Sequence, residues 1–169
     1  VTTESRRASL ELLARIVLGG VFVYAAVPKI LDPVGFSKAV YAYQILPVLW
    51  SNVVAASLPW MELFAGGVLL ASGFTTLGKW ALRRKPPAGE PTPWVAEAAL
   101  VTAGLLIVFI VAISIALAKG VDISCGCFGT SPEGRRLGWS TLAEDALLLL
   151  ASVVVLRRQA AIMPTDIVS

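Results

Sequence analysis

Apolar residues gather in four long blocks along this chain, and the segments between and beyond them hold most of the charge and every proline except Pro59. The blocks run from about Leu10 to Val27, Val53 to Ser72, Val95 to Ala118 and Leu137 to Leu156. A helix crosses the hydrocarbon of a bilayer with roughly 20 mostly apolar residues. The pattern therefore predicts an all-α integral membrane four-helix bundle, one domain over residues 1–169. The first block, preceded by Arg6 and Arg7, has the outline of a signal peptide. Tyr24-Ala25-Ala26-Val27-Pro28-Lys29 offers no clean small-x-small cleavage site, however, so the block reads as a retained helix.

The connecting segments sharpen this outline. Pro28 and Asp32-Pro33 are expected to end the first helix, because proline breaks the backbone ladder and restricts the residue before it. Within 28–52, Phe36, Val40, Tyr43, Ile45 and Leu46 around Lys38 predict a short interfacial helix closed by Pro47. Residues 73–94, with Lys79, Arg83, Arg84, Lys85 and four prolines, read as a loop, as do residues 119–136. Lysine and arginine favour the cytoplasmic side. The N-terminal tail, the 73–94 loop and the C-terminal tail carry eight of them (Arg6, Arg7, Lys79, Arg83, Arg84, Lys85, Arg157, Arg158). The other two loops carry five (Lys29, Lys38, Lys119, Arg135, Arg136). Both termini are expected in the cytoplasm, with 28–52 and 119–136 outside it.

Composition agrees with the blocks. Only 15% of residues are charged, against about 25% in soluble domains, and mean hydropathy is +0.79. The net charge of +3 does not point to nucleic acid, because the basic residues flank apolar blocks and form no stripe interleaved with aromatics. Histidine is absent, which argues against His-based zinc sites and ordinary hydrolytic triads. Trp50, Trp60, Trp94 and Trp139 fall at or near expected helix ends, as interfacial anchors do. Gly19-Gly20, Ala25-Ala26 and Ala65-Gly66-Gly67 would let helix backbones approach closely.

The chain has two cysteines, Cys125 and Cys127, in Asp122-Ile123-Ser124-Cys125-Gly126-Cys127-Phe128-Gly129. A disulfide needs Cα atoms about 4.4–6.8 Å apart, which residues i and i+2 reach in a bent conformation that Gly126 permits. So small a ring is strained, and strained disulfides are the more oxidising and labile ones. The expected outward orientation places the pair where disulfides persist, and Lys119, Arg135 and Arg136 nearby in sequence would favour a thiolate. A purely structural staple is the plainer reading, although closing so short a loop constrains the unfolded chain very little. Soft-metal capture is a third: two thiolates make a poor zinc site but suit mercury or copper(I).

Charges inside the blocks are the second candidate feature. Glu62 lies in the second block, Glu144 and Asp145 in the fourth, and Lys29 at the end of the first. A charge at such depth costs at least ~2.5 kcal/mol on insertion scales, so it pairs or faces a polar cavity. All four belong to the cysteine side of the bundle. They either form a polar cluster that shuttles protons for thiol exchange or contacts a quinone, or supply a Lys29–Glu62 or Lys29–Asp145 pair that only fixes helix register. Arg15 and Glu97, near the opposite end, are expected to snorkel.

With these residues in view, the chain resembles the MauE branch of the DoxX-like membrane proteins. The likeness rests on Leu13-Ala14-Arg15, Gly19-Gly20-Val21-Phe22 and Pro28-Lys29-Ile30-Leu31-Asp32-Pro33 at the first helix. It continues through Leu58-Pro59-Trp60-Met61-Glu62-Leu63 and, more specifically, Cys125-Gly126-Cys127-Phe128-Gly129. The resemblance implies a four-helix, multi-pass protein of the bacterial cytoplasmic membrane, linked to maturation of methylamine dehydrogenase beside an extracytoplasmic thioredoxin-like partner. Other four-helix membrane thiol oxidoreductases, of the DsbB and vitamin K epoxide reductase types, pass electrons between thiols and a quinone. This chain departs from them in having one cysteine pair and no Cys-x-x-Cys. The expected activity is thiol–disulfide exchange, or electron conduction for it, through Cys125 and Cys127, with Lys29, Glu62, Glu144 and Asp145 in support. Its rivals are a soft-metal binding or transport protein and a non-catalytic membrane assembly subunit.

Overall fold

The structure, a computed structural model, describes residues 3–83, 94–120 and 139–162. Its elements are all helices: α1 (Thr3–Leu31), α2 (Pro33–Ala42), α3 (Val48–Arg83), α4 (Val95–Ala118) and α5 (Trp139–Ile162). The four longer ones are each long and apolar enough to cross a membrane. α1 packs on α3 and α5, and α4 packs on the same two. The helices thus form a ring in the order α1, α3, α4, α5, with neighbours antiparallel, and α2 lies against α3 and the end of α1.

Outward faces are as apolar as the interior. Leu10, Leu13, Leu100, Val108, Leu147 and Leu150 are exposed, while Leu18, Phe22, Leu69, Leu106 and Val155 fill the core. A helix apolar on all sides belongs in lipid, where exposed leucine costs nothing.

Close approach of α1 and α3 depends on Gly19 and Gly66. A Cβ at Gly19 would stand 2.6 Å from the Leu70 backbone N and 2.7 Å from the Gly66 carbonyl oxygen. A Cβ at Gly66 would meet the Phe22 Cβ at 2.8 Å. Of the glycine pairs expected to serve packing, Gly20 and Gly67 have nothing within 4 Å of a would-be Cβ. One glycine of each pair makes the contact. Across the α4–α5 seam, the Ser152 hydroxyl donates to the Ala99 carbonyl at 2.7 Å and lies 3.3 Å from the Thr102 hydroxyl.

Several boundaries differ from the sequence expectation. Pro28 lies inside α1, which ends at Leu31 ahead of Asp32-Pro33, and Pro59 lies inside α3. A membrane helix tolerates a missing amide where neighbours re-satisfy the backbone. The expected loop from residue 73 is helical as far as Arg83, because charge and a glycine alone do not stop a helix already nucleated. At 36 residues α3 extends roughly 50 Å, well beyond the hydrocarbon. α5 runs past Leu156 through Arg157 and Arg158 to Ile162. Trp50, Trp94 and Trp139 sit at helix ends as expected, but Trp60 is well inside α3 and exposed there.

A short helix, α2, falls where the interfacial helix was expected, but it ends at Ala42, ahead of Tyr43, Ile45, Leu46 and Pro47. Asp32 caps it, its carboxylate accepting from the Gly35 amide at 2.8 Å, and Pro33 opens the first turn. The chain then turns through Gln44, whose φ is 52°, before α3 begins. Lys119, just past α4, donates from Nζ to the Gln44 carbonyl at 3.0 Å and fastens this turn to α4.

Candidate functional site

Two buried polar clusters occupy opposite ends of the bundle. The first joins the end of α1 to the middle of α3: Lys29 Nζ donates to Glu62 Oε1 at 2.6 Å and to Oε2 at 2.8 Å. Each side chain is 1% exposed. α1 delivers Lys29 from its last turn, where a cation complements the helix dipole. Charges this deep need pairing, and a two-pronged bond to one carboxylate supplies it.

Asp145, on α5, is 6% exposed. With Lys29, Glu62, Phe22, Phe109 and Leu148 it lines a cavity of about 30 Å³, room for about one water molecule. Asp145 Oδ2 has no hydrogen-bond partner among the described residues. Three helices thus bring one cation and two carboxylates around one small void. Glu144, the fourth residue of the expected cluster, is half-buried and does not line this void.

The Lys29 ammonium also lies between two rings, 5.2 Å from the Phe36 centroid and 5.4 Å from that of Phe109. Beyond those rings is a larger cavity, about 360 Å³, among α2, α3 and α4. Its walls are apolar apart from Lys29 and the tyrosine at position 43, with Val40, Leu46, Leu58 and Ala112 among them. Lys29 and Phe109 line both cavities. The sequence pattern marks Phe36 only as part of the expected interfacial helix and does not mark Phe109, since nothing in one dimension brings either to the lysine.

The second cluster corrects the reading of Arg15. It is 4% exposed and does not snorkel: its guanidinium donates to Glu11, one turn earlier on α1. Gln159 of α5 donates from Nε2 to the same carboxylate at 2.7 Å, and Arg158 donates to Glu4 at 2.9 Å. The signal was present in the i, i+4 spacing of Glu11 and Arg15. Gln159 carried no such signal. Glu97 is exposed near the start of α4, as a snorkelling residue would be.

Cys125 and Cys127, with the rest of 121–138, lie outside the described residues. The described chain leaves α4 at Gly120 and resumes at Trp139, the start of α5. Both points belong to the bundle end that holds Lys29, Glu62 and Asp145.

A ring of four apolar spans around a buried lysine–glutamate pair defines a multi-pass membrane protein. The family model described as methylamine utilisation protein MauE matches residues 7–158, and the chain belongs to that family. It is similar to the methylamine utilization protein MauE of Paracoccus denitrificans, with 28% identity over 154 residues that cover 90% of this chain and 72% of the relative. No solved structure gives a significant match.

Proposed function

We propose that this chain is a membrane thiol–disulfide oxidoreductase, or the electron conduit for one, that works through Cys125 and Cys127. The pair alternates between dithiol and disulfide by exchange with an extracytoplasmic thioredoxin-like protein. Reduction of the Cys125–Cys127 bond takes up two electrons and two protons, and the partner's dithiol supplies both as its own disulfide forms; the reverse reaction balances in the same way. The protein sits in the bacterial cytoplasmic membrane with both termini in the cytoplasm. Its role is maturation of a redox enzyme, and the relative's name supports methylamine utilisation as the setting. A wider kinship with the DoxX-like proteins belongs to the same proposal.

The observation that carries this reading is where the cysteine segment is tethered. Gly120 and Trp139, the described residues on either side of the cysteine segment, lie at the end where Lys29, Glu62 and Asp145 gather. Buried carboxylates beside a lysine are groups that can take up and return protons, which each thiol exchange requires. A structural staple would have no use for such neighbours.

The test is thiol trapping on intact cells with a membrane-impermeant maleimide, with and without mild reductant. Labelling that appears only after reduction is the expected result, and it means an exposed, labile disulfide facing outward. Labelling without reduction would turn the reading toward a reductase or soft-metal role. No labelling in either case, with the protein present, would sink the outward orientation on which the proposal depends.

A further inference from the structure

We propose that the cavity among α2, α3 and α4 holds one acyl chain of a bilayer phospholipid, whose phosphate meets the Lys119 ammonium at the rim. This site is independent of the thiol reading and uses none of the cysteine segment.

The walls decide against a polar occupant. The one cation that reaches the cavity, Lys29, is 1% exposed, is held by both Glu62 oxygens and is flanked by Phe36 and Phe109. The rest of the lining is almost wholly apolar. A group that needs hydrogen bonds would give up its partners on entering and find none. A hydrocarbon gives up nothing.

Shape and access select a chain. Ile107, Val111 and Ile115 line the cavity at intervals of one turn on α4, and all three are exposed. The opening is therefore a slot about 12 Å long that runs with the helix axis and faces the hydrocarbon. Acyl chains run in the same direction as the spans beside them, so one can enter sideways without leaving the bilayer. The volume of about 360 Å³ lies at the low end of small-molecule sites. α2 packs on α1 and α3, but among the described residues its backbone does not approach that of α4. A chain in the slot supplies the packing atoms that this gap lacks.

Lys119 fixes where the head group lies. It follows Ile115 by one turn, its amide donating to the Ile115 carbonyl at 3.0 Å. Its Nζ donates to the carbonyl of Gln44, and the neighbours of Gln44, Tyr43 and Ile45, line the cavity. The exposed ammonium thus stands at one end of the slot, with one of its three donors used among the described residues. Trp50, exposed in the first turn of α3, marks the same end as interfacial. Lipid phosphates lie at that level, and a lysine there attracts them.

The experiment is native mass spectrometry of the full chain in tetraethylene glycol mono-octyl ether, titrated with dioleoyl-phosphatidylglycerol, beside thermal melts in the same detergent. One saturable lipid per chain is expected, with a rising melting temperature as it binds. Ala112→Phe, which fills the cavity from α4, should weaken retention about tenfold, the loss of a few buried methylenes. Its lipid-free melt should match that of the parent chain. Lys119→Glu, on the surface, should weaken retention about fivefold, while Lys119→Arg should preserve it. The absence of a saturable adduct, or retention that a folded Ala112→Phe leaves intact, overturns the site. If Ala112→Phe melts early, the contrast between the two Lys119 variants decides instead. Equal retention by those two variants, or equal binding of oleic acid, overturns the phospholipid assignment. A lipid-free dimer that Ala112→Phe abolishes would give the slot to a second copy of this chain and overturn the lipid.

Discussion

Lys29 and Glu62, 33 residues apart, meet inside the bundle with both carboxylate oxygens on one ammonium, at 2.6 and 2.8 Å. Removing one partner of such a pair strands the other as an uncompensated buried charge, at about 3–5 kcal/mol. Lys29→Met and Glu62→Leu should each destabilise the protein by that order. The double variant should recover most of the loss, since apolar replacement of a whole buried pair is often neutral. Unfolding of the four proteins in mixed detergent micelles measures the cycle. Additive single losses would show that the two charges are not coupled.

The glycines give a contrast within each pair. Gly19→Ala and Gly66→Ala drive a Cβ into the facing helix and should cost about 1–3 kcal/mol by overpacking. Gly20→Ala and Gly67→Ala meet nothing within 4 Å and should be neutral or stabilising by up to ~1 kcal/mol, the helix propensity gained. Thermal melts in detergent rank the four. Equal effects within a pair would contradict the α1–α3 register.

At the α4–α5 seam, Ser152→Ala removes the donor to the Ala99 carbonyl. Interhelical hydrogen bonds of this kind average about 0.6 kcal/mol in membranes, so a small loss of that order is expected. A cycle with Thr102→Val should show coupling, because the two hydroxyls are 3.3 Å apart. A loss above about 2 kcal/mol would mean that the serine does more than bridge two helices.

Single cysteine variants test the exchange chemistry. Whichever sulfur is attacked, the variant that keeps it and lacks the other cannot resolve the mixed disulfide. One of Cys125→Ser and Cys127→Ser should therefore accumulate a reductant-sensitive adduct with a thioredoxin-like protein on non-reducing gels, and the double variant none. Wild-type maturation of the redox enzyme in all three variants would leave a docking role and remove the catalytic one.

Much of this architecture was legible in one dimension. Block length gave the four spans, and the residues around Lys38 gave a short helix where α2 lies. Glu62 and Lys29 were marked because a charge in an apolar block needs a partner, though Asp145 was an equal candidate to bind Lys29 until the helices were placed. What escaped depends on packing between helices. Arg15 sits near a helix end and reads as snorkelling until Gln159, 144 residues later, closes over the Glu11 it binds. Phe36 and Phe109 become a pair only around the ammonium of a third helix. The reach of α3 to Arg83 was hidden because hydropathy marks where a helix leaves lipid, not where its backbone stops.

Pro28 and Pro59 stand on two facing helices at one level of the bundle, beside Lys29 and one turn before Glu62. Each omits one rung of its backbone ladder, at the carbonyls of Tyr24 and Ala55. A helix lacking a rung bends there more readily than elsewhere. The ion pair thus joins the two helices at the level where each lacks a backbone bond. Lys29 and Glu62 therefore cross-link the last turn of α1 to α3 beside the place where each backbone is weakest.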